Sequence, residues 1–235
     1  MKALIEAIKE EENYLSDRKN GINTSLSARL SNYGYDNLTD YFNDKREYLF
    51  NQWIPEVTYI DVSTLTTELE KAVREEKYGI YISVSDGLYA FHGTDQINYE
   101  LCEKLGICVA ELYHQGGTII GSNDDLGIEI VAPIDLGLDN CYILNKFYEI
   151  ISNYIENVTI DGNDILVDGK KVMGSMRRNV GKTFVWAAQI SFNDYSDIIA
   201  QVCNKQSVKK PSYIDNSKLS RNQLEKEVLA WLQKH

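Results

Sequence analysis

Two of the three Asp-Gly pairs in this chain, each lying between runs of alternating apolar residues, constrain its fold more than any other feature. They are Asp86-Gly87 and Asp168-Gly169. An Asp-Gly pair in such a setting is typical of the tight turn of a β-hairpin, which joins two antiparallel strands. Helical segments occur between the hairpins rather than after every strand, so strict alternation of strand and helix is absent. The sequence therefore predicts an α+β fold with a largely antiparallel mixed sheet flanked by helices.

The apolar pattern from residue 57 onward gives the bounds of the elements around these turns. Strands are predicted at 57–62, 78–84, 87–92, 107–112, 118–121, 126–133, 162–167, 170–173 and 183–192. Helices are predicted at 64–77, 98–106, 140–155, 195–202 and 222–233. We therefore predict one domain over residues 57–235, which includes a C-terminal helix at 222–233.

Residues 1–56 differ from the rest of the chain. Leu4, Ile5, Ala7 and Ile8 recur at helical spacing, which predicts a mostly helical N-terminal segment. No pattern in this segment indicates a chemical role. Its aromatic residues predict a surface that packs onto the main domain, and an interface with a partner protein is the alternative. These residues are Tyr33, Tyr35, Tyr41, Phe42, Tyr48 and Trp53.

The chain is acidic, with 24 lysine and arginine residues against 35 aspartate and glutamate residues and a net charge of −11. A nucleic acid is a polyanion that binds basic surfaces, so the composition argues against a nucleic-acid partner. No apolar run reaches the roughly 18 residues that a membrane-spanning helix needs, and acidic residues interrupt the N-terminus before it reaches signal-peptide length. We therefore expect a cytoplasmic protein with no membrane partner.

The cysteines fit the same compartment. Cys102, Cys108, Cys141 and Cys203 include no Cys-x-x-Cys pair, and no histidine cluster lies near them, which argues against a zinc site. Unpatterned cysteines in a chain without a signal peptide are typical of reduced, buried thiols. We expect all four to be buried.

Two glycine motifs could contact a ligand. Val180-Gly181-Lys182-Thr183 is similar to the end of a phosphate-binding loop, but Met176 stands where that loop needs a glycine. A strand also follows it, whereas such a loop opens a helix, so a turn that enters a strand explains it better. Gly116-Gly117 lies between two predicted strands, where glycines allow either a β-bulge or close approach of the backbone to a ligand.

The hairpin at Asp168-Gly169 carries the most informative residues. A two-residue turn predicts four cross-strand pairs, which are Val167 with Lys170, Leu166 with Lys171, Ile165 with Val172 and Asp164 with Met173. Lys171 then shares a face with Leu166 and, diagonally, with Asp164. Either one of the two lysines points toward a cleft or core, or both are solvated at the hairpin tip. A lysine held near a carboxylate suits the neutralisation of charge that develops during acyl or adenylyl transfer.

Three blocks of the chain follow a known order. Residues 97–107 match a helix of the form Asn-x-Glu-x-Cys-x-x-x-x-Ile, and residues 115–120 match a glycine-rich loop with the strand after it. Residues 163–165 and 169–176 match an Asn-Asp strand and a Gly-x-Lys-(Ile/Val)-x-Gly-Ser-Ala turn, which is the most specific block. From about residue 57 onward the chain resembles the lipoate–protein ligase A family. This family belongs to the biotin and lipoate ligases and octanoyltransferases, whose fold is like that of class II synthetases.

The resemblance implies a reaction and a site. ATP, with Mg²⁺, activates a small carboxylic acid such as lipoate as an acyl-adenylate, which a lysine of an acceptor protein domain then attacks. Lys171 matches the catalytic lysine that contacts the acyl carboxylate and the α-phosphate. Asn163 and Asp164 match the pair beside the nucleotide and the metal, and Gly116 and Gly117 match the loop along the acyl-adenylate. The other implied binding residues are Gln115, Gly174, Ser175 and Gln189.

The chain also departs from the family pattern. Glu111 and Leu112 replace two arginines before the glycine loop, which removes positive charge from a site for triphosphate. Arg177 and Arg178 could replace that charge, or they could lie in a solvated turn.

The predicted pocket differs from the family as well. Gln115 replaces the first glycine of the loop, and Trp186-Ala187-Ala188-Gln189 stands where the family strand reads His-His-Gly-Thr. We predict that Gln115 and Trp186 line the pocket and narrow it.

Three functions remain open. We favour an ATP-dependent ligase that attaches lipoate or a similar acyl group to a protein lysine. An ATP-independent acyltransferase would use Cys141 as nucleophile, because a helix N-terminus lowers a thiol pKa, although a buried structural thiol explains this residue better. A non-catalytic binding or regulatory module could also retain the fold, since fold does not dictate function.

Overall fold

The chain forms two compact units, Met1–Ile54 and Pro55–Lys234. The structure is a computed structural model that describes residues 1–92, 97–111, 118–203 and 211–233. Within these ranges, no helix is both long enough and apolar enough to cross a membrane.

The N-terminal unit is helical. It consists of α1 (Lys2–Lys19), α2 (Leu26–Leu30), a 3-10 turn (Ser31–Tyr33) and α3 (Leu38–Phe50). The core of this unit contains Leu4, Ala7, Leu30 and Tyr41, with Tyr33, Tyr35 and Tyr48 packed against it. Four of the six aromatic residues that the sequence assigned to a surface facing the main domain therefore contribute to the unit's own core.

The larger unit contains ten strands and five α-helices in its described part. The strands are β1 (Glu56–Asp61), β2 (Gly79–Val84), β3 (Tyr89–His92), β4 (Cys108–Glu111), β5 (Ile119–Gly121), β6 (Leu126–Pro133), β7 (Val158–Asp161), β8 (Asp164–Val167), β9 (Lys170–Val180) and β10 (Thr183–Ile190). The helices are α4 (Val62–Arg74), α5 (Tyr99–Lys104), α6 (Asn140–Ser152), α7 (Ser196–Val202) and α8 (Arg221–Leu232).

The strands form two sheets. The larger has seven strands in the order β1-β2-β6-β10-β9-β8-β7, and the smaller has three in the order β4-β3-β5. Each sheet has one parallel pair, β1 with β2 and β3 with β4, and the remaining pairs are antiparallel. The prediction of an α+β fold with a largely antiparallel mixed sheet is confirmed.

The prediction of a β-hairpin at Asp86-Gly87 is wrong, because β2 and β3 lie in different sheets. Strand β2 pairs with β1 on one side and β6 on the other, so neither of its edges is open to β3. The segment around Asp86-Gly87 instead carries the chain from the larger sheet to the smaller one, where β3 pairs with β4 and β5. The Asp-Gly turn is thus a connection between sheets rather than within one.

The larger sheet is covered on both faces. On one face, Leu65 of α4 and Phe91 of β3 pack in the same buried cluster as Val185 of β10. On the other face, Trp186 of β10 stacks on Phe147 of α6, with ring centroids 5.3 Å apart. Because neighbouring residues of a strand point to opposite faces, β10 contributes to two separate layers. The candidate site lies on the face of Val185, between the two sheets.

Candidate functional site

The β8–β9 hairpin forms around Asp168-Gly169, as predicted. Both residues have positive φ, +50° and +73°, as a type I′ turn requires. Val167 pairs with Lys170 and Leu166 pairs with Lys171, which confirms the first half of the predicted register.

The second half of that register is wrong. A β-bulge between Ile165 and Leu166 shifts the pairing by one residue, so that Ile165 lies opposite Met173 and Asp164 lies opposite Gly174. A bulge places two residues of one strand against one residue of the other and bends the strand.

The bulge brings Lys171 and Asp164 together over Gly174. Lys171 Nζ lies 2.9 Å from Asp164 Oδ1, and the two side chains are 39% and 15% exposed. A Cβ atom at Gly174 would lie only 2.7 Å from Lys171 Nζ and 2.8 Å from its Cε. Glycine at this position therefore lets the lysine side chain cross the strand and reach the carboxylate. Lys171, Asp164 and Gly174, three of the predicted site residues, therefore lie next to one another.

Lys171 borders a cavity of about 120 Å³ between the two sheets. Its wall also includes Ile119 and Ile120 of β5, Gly174, Gln189 and Tyr195. Lys170 borders a separate, open groove instead. The two lysines thus have different surroundings, and Lys171 is the one that faces the cavity.

Gln189 closes part of the cavity wall. Its side chain is 6% exposed, and its Oε1 accepts a hydrogen bond of 3.0 Å from the hydroxyl of Tyr89. Its Nε2 has no hydrogen-bond partner among the described residues. A buried N–H group without a partner is unfavourable by about 1–3 kcal/mol, so this amide can donate to an oxygen of a bound molecule.

A buried carboxyl group lies near Gln189, in strand β6. Glu129 is 6% exposed, and its Oε1 accepts a long hydrogen bond of 3.5 Å from Ser83. Its Oε2 has no hydrogen-bond partner in the described part of the chain. Burial raises the pKa of Glu129 to about 8. Sequence reasoning missed this residue, although a single acidic residue inside the apolar run Leu126–Pro133 was a visible signal.

Asp125 anchors another part of the wall. Its Oδ1 accepts from the backbone N–H of Phe192, and its Oδ2 accepts from the backbone N–H of Ser122 and from the hydroxyl of Tyr195. Burial raises the pKa of Asp125, and these hydrogen bonds act in the opposite direction. They fix Tyr195 at the cavity.

Asn163 and Ser175 lie in a different cluster. The single hydroxyl proton of Ser175 is shared between the backbone carbonyl of Asn163, 2.8 Å away, and Asn140 Oδ1, 3.2 Å away, and Asn140 Nδ2 donates to Asn163 Oδ1. Trp186 Nε1 also donates to Asn140, over 2.8 Å. Ser175 follows Gly174 in the strand and so points to the opposite face. The structure therefore does not bring these two residues to the cavity wall.

The prediction that Trp186 lines the pocket is wrong. This side chain is fully buried on the sheet face that packs against α6. Of the remaining predicted site residues, Gln115, Gly116 and Gly117 lie outside the described residues. Thr118, the first described residue after them, lines the cavity.

The expectation of four buried cysteines is also wrong in part. Cys102 and Cys203 are buried, whereas Cys108 and Cys141 are exposed, and all four are free thiols. Cys141 lies in the first turn of α6 and accepts a hydrogen bond from the side chain of Asn145. It is not among the residues that line the cavity.

The described residues provide little protein ligation for Mg²⁺. They contain no group of three or more His, Cys, Asp or Glu side chains placed to hold a metal ion. Asp164 is a single carboxylate whose partner is Lys171. Mg²⁺ commonly binds through one or two carboxylates together with phosphate oxygens and water. Asp164 fits that role only with most of the ligands coming from a nucleotide.

Gly174 offers a test of this geometry. We expect Gly174→Ala to change the free energy of unfolding by less than about 1 kcal/mol, because the closest contacts of the added Cβ are with the flexible end of Lys171, and Asp164 Oδ1 lies at an ordinary 3.5 Å. The same change should displace the Nζ atom and lower any Lys171-dependent turnover about ten- to a hundredfold. Chemical denaturation and steady-state rates measure the two effects. A variant with full activity would show that the position of Nζ over Gly174 is unimportant.

No protein-family model and no curated protein sequence matches the chain. Solved structures do match. LipL1 of P. falciparum, in complex with lipoate, has a TM-score of 0.64 and 11% sequence identity over 76% of this chain. The chain spans 62% of the length of that protein.

Two further structures give similar values. A bi-partite lipoate protein ligase from Thermoplasma acidophilum, described with its E2 lipoyl domain, has a TM-score of 0.62 and 14% identity, and the match covers 76% of this chain and 83% of that chain. A lipoate-protein ligase A bound with ATP has a TM-score of 0.60 and 15% identity, over 77% of this chain and 85% of that chain. The chain therefore has the fold of the lipoate–protein ligases.

Proposed function

We propose that the chain is an ATP-dependent ligase that activates a small carboxylic acid and transfers the acyl group to a lysine of an acceptor protein. The observation that carries the proposal is the placement of Lys171 Nζ at the cavity wall, next to Asp164 and over Gly174. The likeness of fold to lipoate–protein ligases supports the same reaction class.

Lys171 would act on the charge of the substrate. At neutral pH a lysine is cationic, and a cation held in a partly dry cavity stabilises negative charge on a carboxylate or a phosphoryl oxygen more strongly than it would in water. Asp164 holds the lysine in position, and Gln189 can donate a hydrogen bond to a second oxygen. Together these residues would bind and orient the acid for attack on the nucleotide.

The proposed substrates follow from the structural relatives. Lipoate, ATP and an E2 lipoyl domain occur with three of them, respectively. For this chain we propose lipoate or a related acid, ATP with Mg²⁺ near Asp164, and an acceptor domain with a target lysine. We place the reaction in the cytoplasm, where ATP is available. The roles of Asn163, Ser175, Gln115, Gly116 and Gly117 in nucleotide binding remain part of this proposal.

Exchange of radioactive pyrophosphate into ATP tests the first half of the reaction. We expect exchange that requires both Mg²⁺ and one member of a panel of carboxylic acids, because formation of an acyl-adenylate is reversible. Mass spectrometry of a lipoyl-type acceptor domain incubated with the enzyme, ATP and that acid should then show the mass of one acyl group. Exchange with none of the acids would contradict the proposed activation step.

A non-catalytic binding module is the second candidate. Among the described residues that line the cavity, Lys171 is the only cationic one, and Asp164 neutralises it. A triphosphate site normally contains more positive charge than this. Calorimetric binding of an acid without pyrophosphate exchange would favour the binding module over the ligase.

A further inference from the structure

A row of four residues crosses the larger sheet, and the first two of them, Gly174 and Gln189, line the cavity. Gly174 of β9 pairs with Gln189 of β10, Gln189 pairs with Gly127 of β6, and Gly127 pairs with Ser83 of β2. Directly paired residues point to the same face of a sheet. The row is therefore a floor that leads from Gly174, next to Lys171 Nζ, to Ser83 over about 14 Å, three times the strand spacing.

The amide of Gln189 blocks this floor halfway. A Cβ atom at Gly121, in the smaller sheet, would lie 2.8 Å from Gln189 Nε2, and one at Gly127, in the larger sheet, would lie 3.0 Å from its Oε1. The amide thus fills the gap between the two sheets, and the Tyr89 hydroxyl holds it there. An acyl chain that enters beside Lys171 meets this amide before it reaches Ser83.

Two buried polar groups lie at the blockage and on the same sheet face two residues further along strand β6. Gln189 Nε2 and Glu129 Oε2 are buried and have no hydrogen-bond partner among the described residues. A long apolar acyl chain would leave both atoms without a partner, which is unfavourable by about 1–3 kcal/mol for each group. A bound oxygen atom would satisfy the Gln189 donor.

We propose that Gln189 determines the acid that this cavity binds: a short carboxylic acid with a carbonyl oxygen at its far end, rather than an acid with a long apolar tail. The carboxylate pairs with Lys171, and the carbonyl oxygen accepts from Gln189 Nε2. Lys171 Nζ lies over Gly174 and the Gln189 amide lies against Gly127, so the two binding groups are one to two strand spacings apart, on the order of 5–10 Å, which suits an acid of about five carbons. This inference narrows the acyl substrate of the proposed function and rests on it for turnover but not for binding.

Calorimetric titration of the full chain with three acids tests the inference. The acids are pentanoate, 4-oxopentanoate and lipoate, of which the first two differ by one carbonyl oxygen. We expect 4-oxopentanoate to bind about tenfold more tightly than pentanoate, because one hydrogen bond to a buried donor is worth about that factor. Lipoate should bind more weakly than 4-oxopentanoate. Equal affinities for the two short acids, tighter binding of lipoate, or no binding of any acid would overturn the inference.

Two variants of Gln189 test separately whether its size limits the length of the bound acid and whether its amide binds the carbonyl oxygen. Gln189→Leu keeps the size of the side chain but removes the amide, so it should abolish the preference for 4-oxopentanoate and still exclude lipoate. Gln189→Ala should open the floor and raise the affinity for lipoate about tenfold. Gln223→Leu, which removes an amide from the exposed surface of α8, is the matched control and should leave all affinities unchanged.

The outcomes distinguish this inference from the proposed function. Binding is measured without ATP, so absence of pyrophosphate exchange would refute the ligase and leave the acid preference standing. If Gln189→Ala does not fold, the wild-type series and Gln189→Leu still decide the question. An unchanged preference of Gln189→Leu for 4-oxopentanoate over pentanoate would show that the amide does not bind the carbonyl oxygen.

Discussion

Replacement of Lys171 with alanine should lower acid-dependent pyrophosphate exchange by about 10²- to 10³-fold. Removal of one fixed group that stabilises developing charge has an effect of this size in other enzymes. The effect should be large here because Lys171 is the only cationic residue among the described ones that line the cavity. Its side chain is also partly exposed, so its removal leaves the fold intact. Exchange assays at saturating ATP, with unfolding curves of both proteins, measure the two properties.

Lys170→Ala is the matched control for this experiment. Lys170 is the same residue type, next in the chain and in the same strand, but it is exposed and borders a different groove. We expect this variant to retain the wild-type exchange rate within about twofold, as surface substitutions outside a site usually have small effects. Equal losses in the two variants would indicate a general effect of charge on the hairpin. Full activity of Lys171→Ala would remove this residue from the mechanism.

The position of Lys171 could be predicted in part because a local rule controls it. The two-residue turn at Asp168-Gly169 fixes the register of the residues next to it, and both adjacent pairs are as expected. The bulge between Ile165 and Leu166 has no local signal in the sequence, because the apolar alternation of the two strands is the same with or without it. The sequence therefore predicted that Lys171 and Asp164 share a face of the hairpin, but it did not predict the ion pair between them.

The prediction of a hairpin at Asp86-Gly87 was wrong because distant strands, rather than the local turn, control the pairing there. The turn signal is as strong as at Asp168-Gly169, but the pairing of β2 depends on strands that are distant in the chain. Strand β6, more than 40 residues later, pairs with β2 and leaves no edge for β3. Turn chemistry describes the connection between two strands, and the competition for sheet edges decides which strands pair.

Strand β9 shows a third limit of sequence reasoning. Its predicted end is residue 173, whereas the strand continues to Val180. The added part contains Arg177 and Arg178, which are exposed, so it lacks the apolar alternation that marks a buried strand. Antiparallel pairing with β10 stabilises it instead. The arginines therefore lie on a strand rather than in a turn.

The Glu129→Gln variant should lose most of the pH dependence of stability that the wild-type chain shows between pH 5 and pH 8. Burial raises the pKa of Glu129 from its ordinary value of 4.5 to about 8 in the folded chain. The unfolded chain therefore releases this proton near pH 4.5, while the folded chain retains it. The contribution of Glu129 is fully present below pH 4.5 and is lost as the pH rises toward 8.

Each unit of pKa difference corresponds to about 1.4 kcal/mol, so the loss over this range is on the order of 4 kcal/mol. Urea unfolding at half-unit intervals from pH 5 to pH 9 measures it in wild type and in Glu129→Gln. A smaller slope of the same sign should remain in the variant, because burial also raises the pKa of Asp125. Glu156→Gln, on an exposed turn, is the control and should retain the wild-type slope. Parallel profiles for wild type and Glu129→Gln would mean that this carboxyl group is solvated in the folded protein, and the gap between the two sheets around Glu129 would then be open to water.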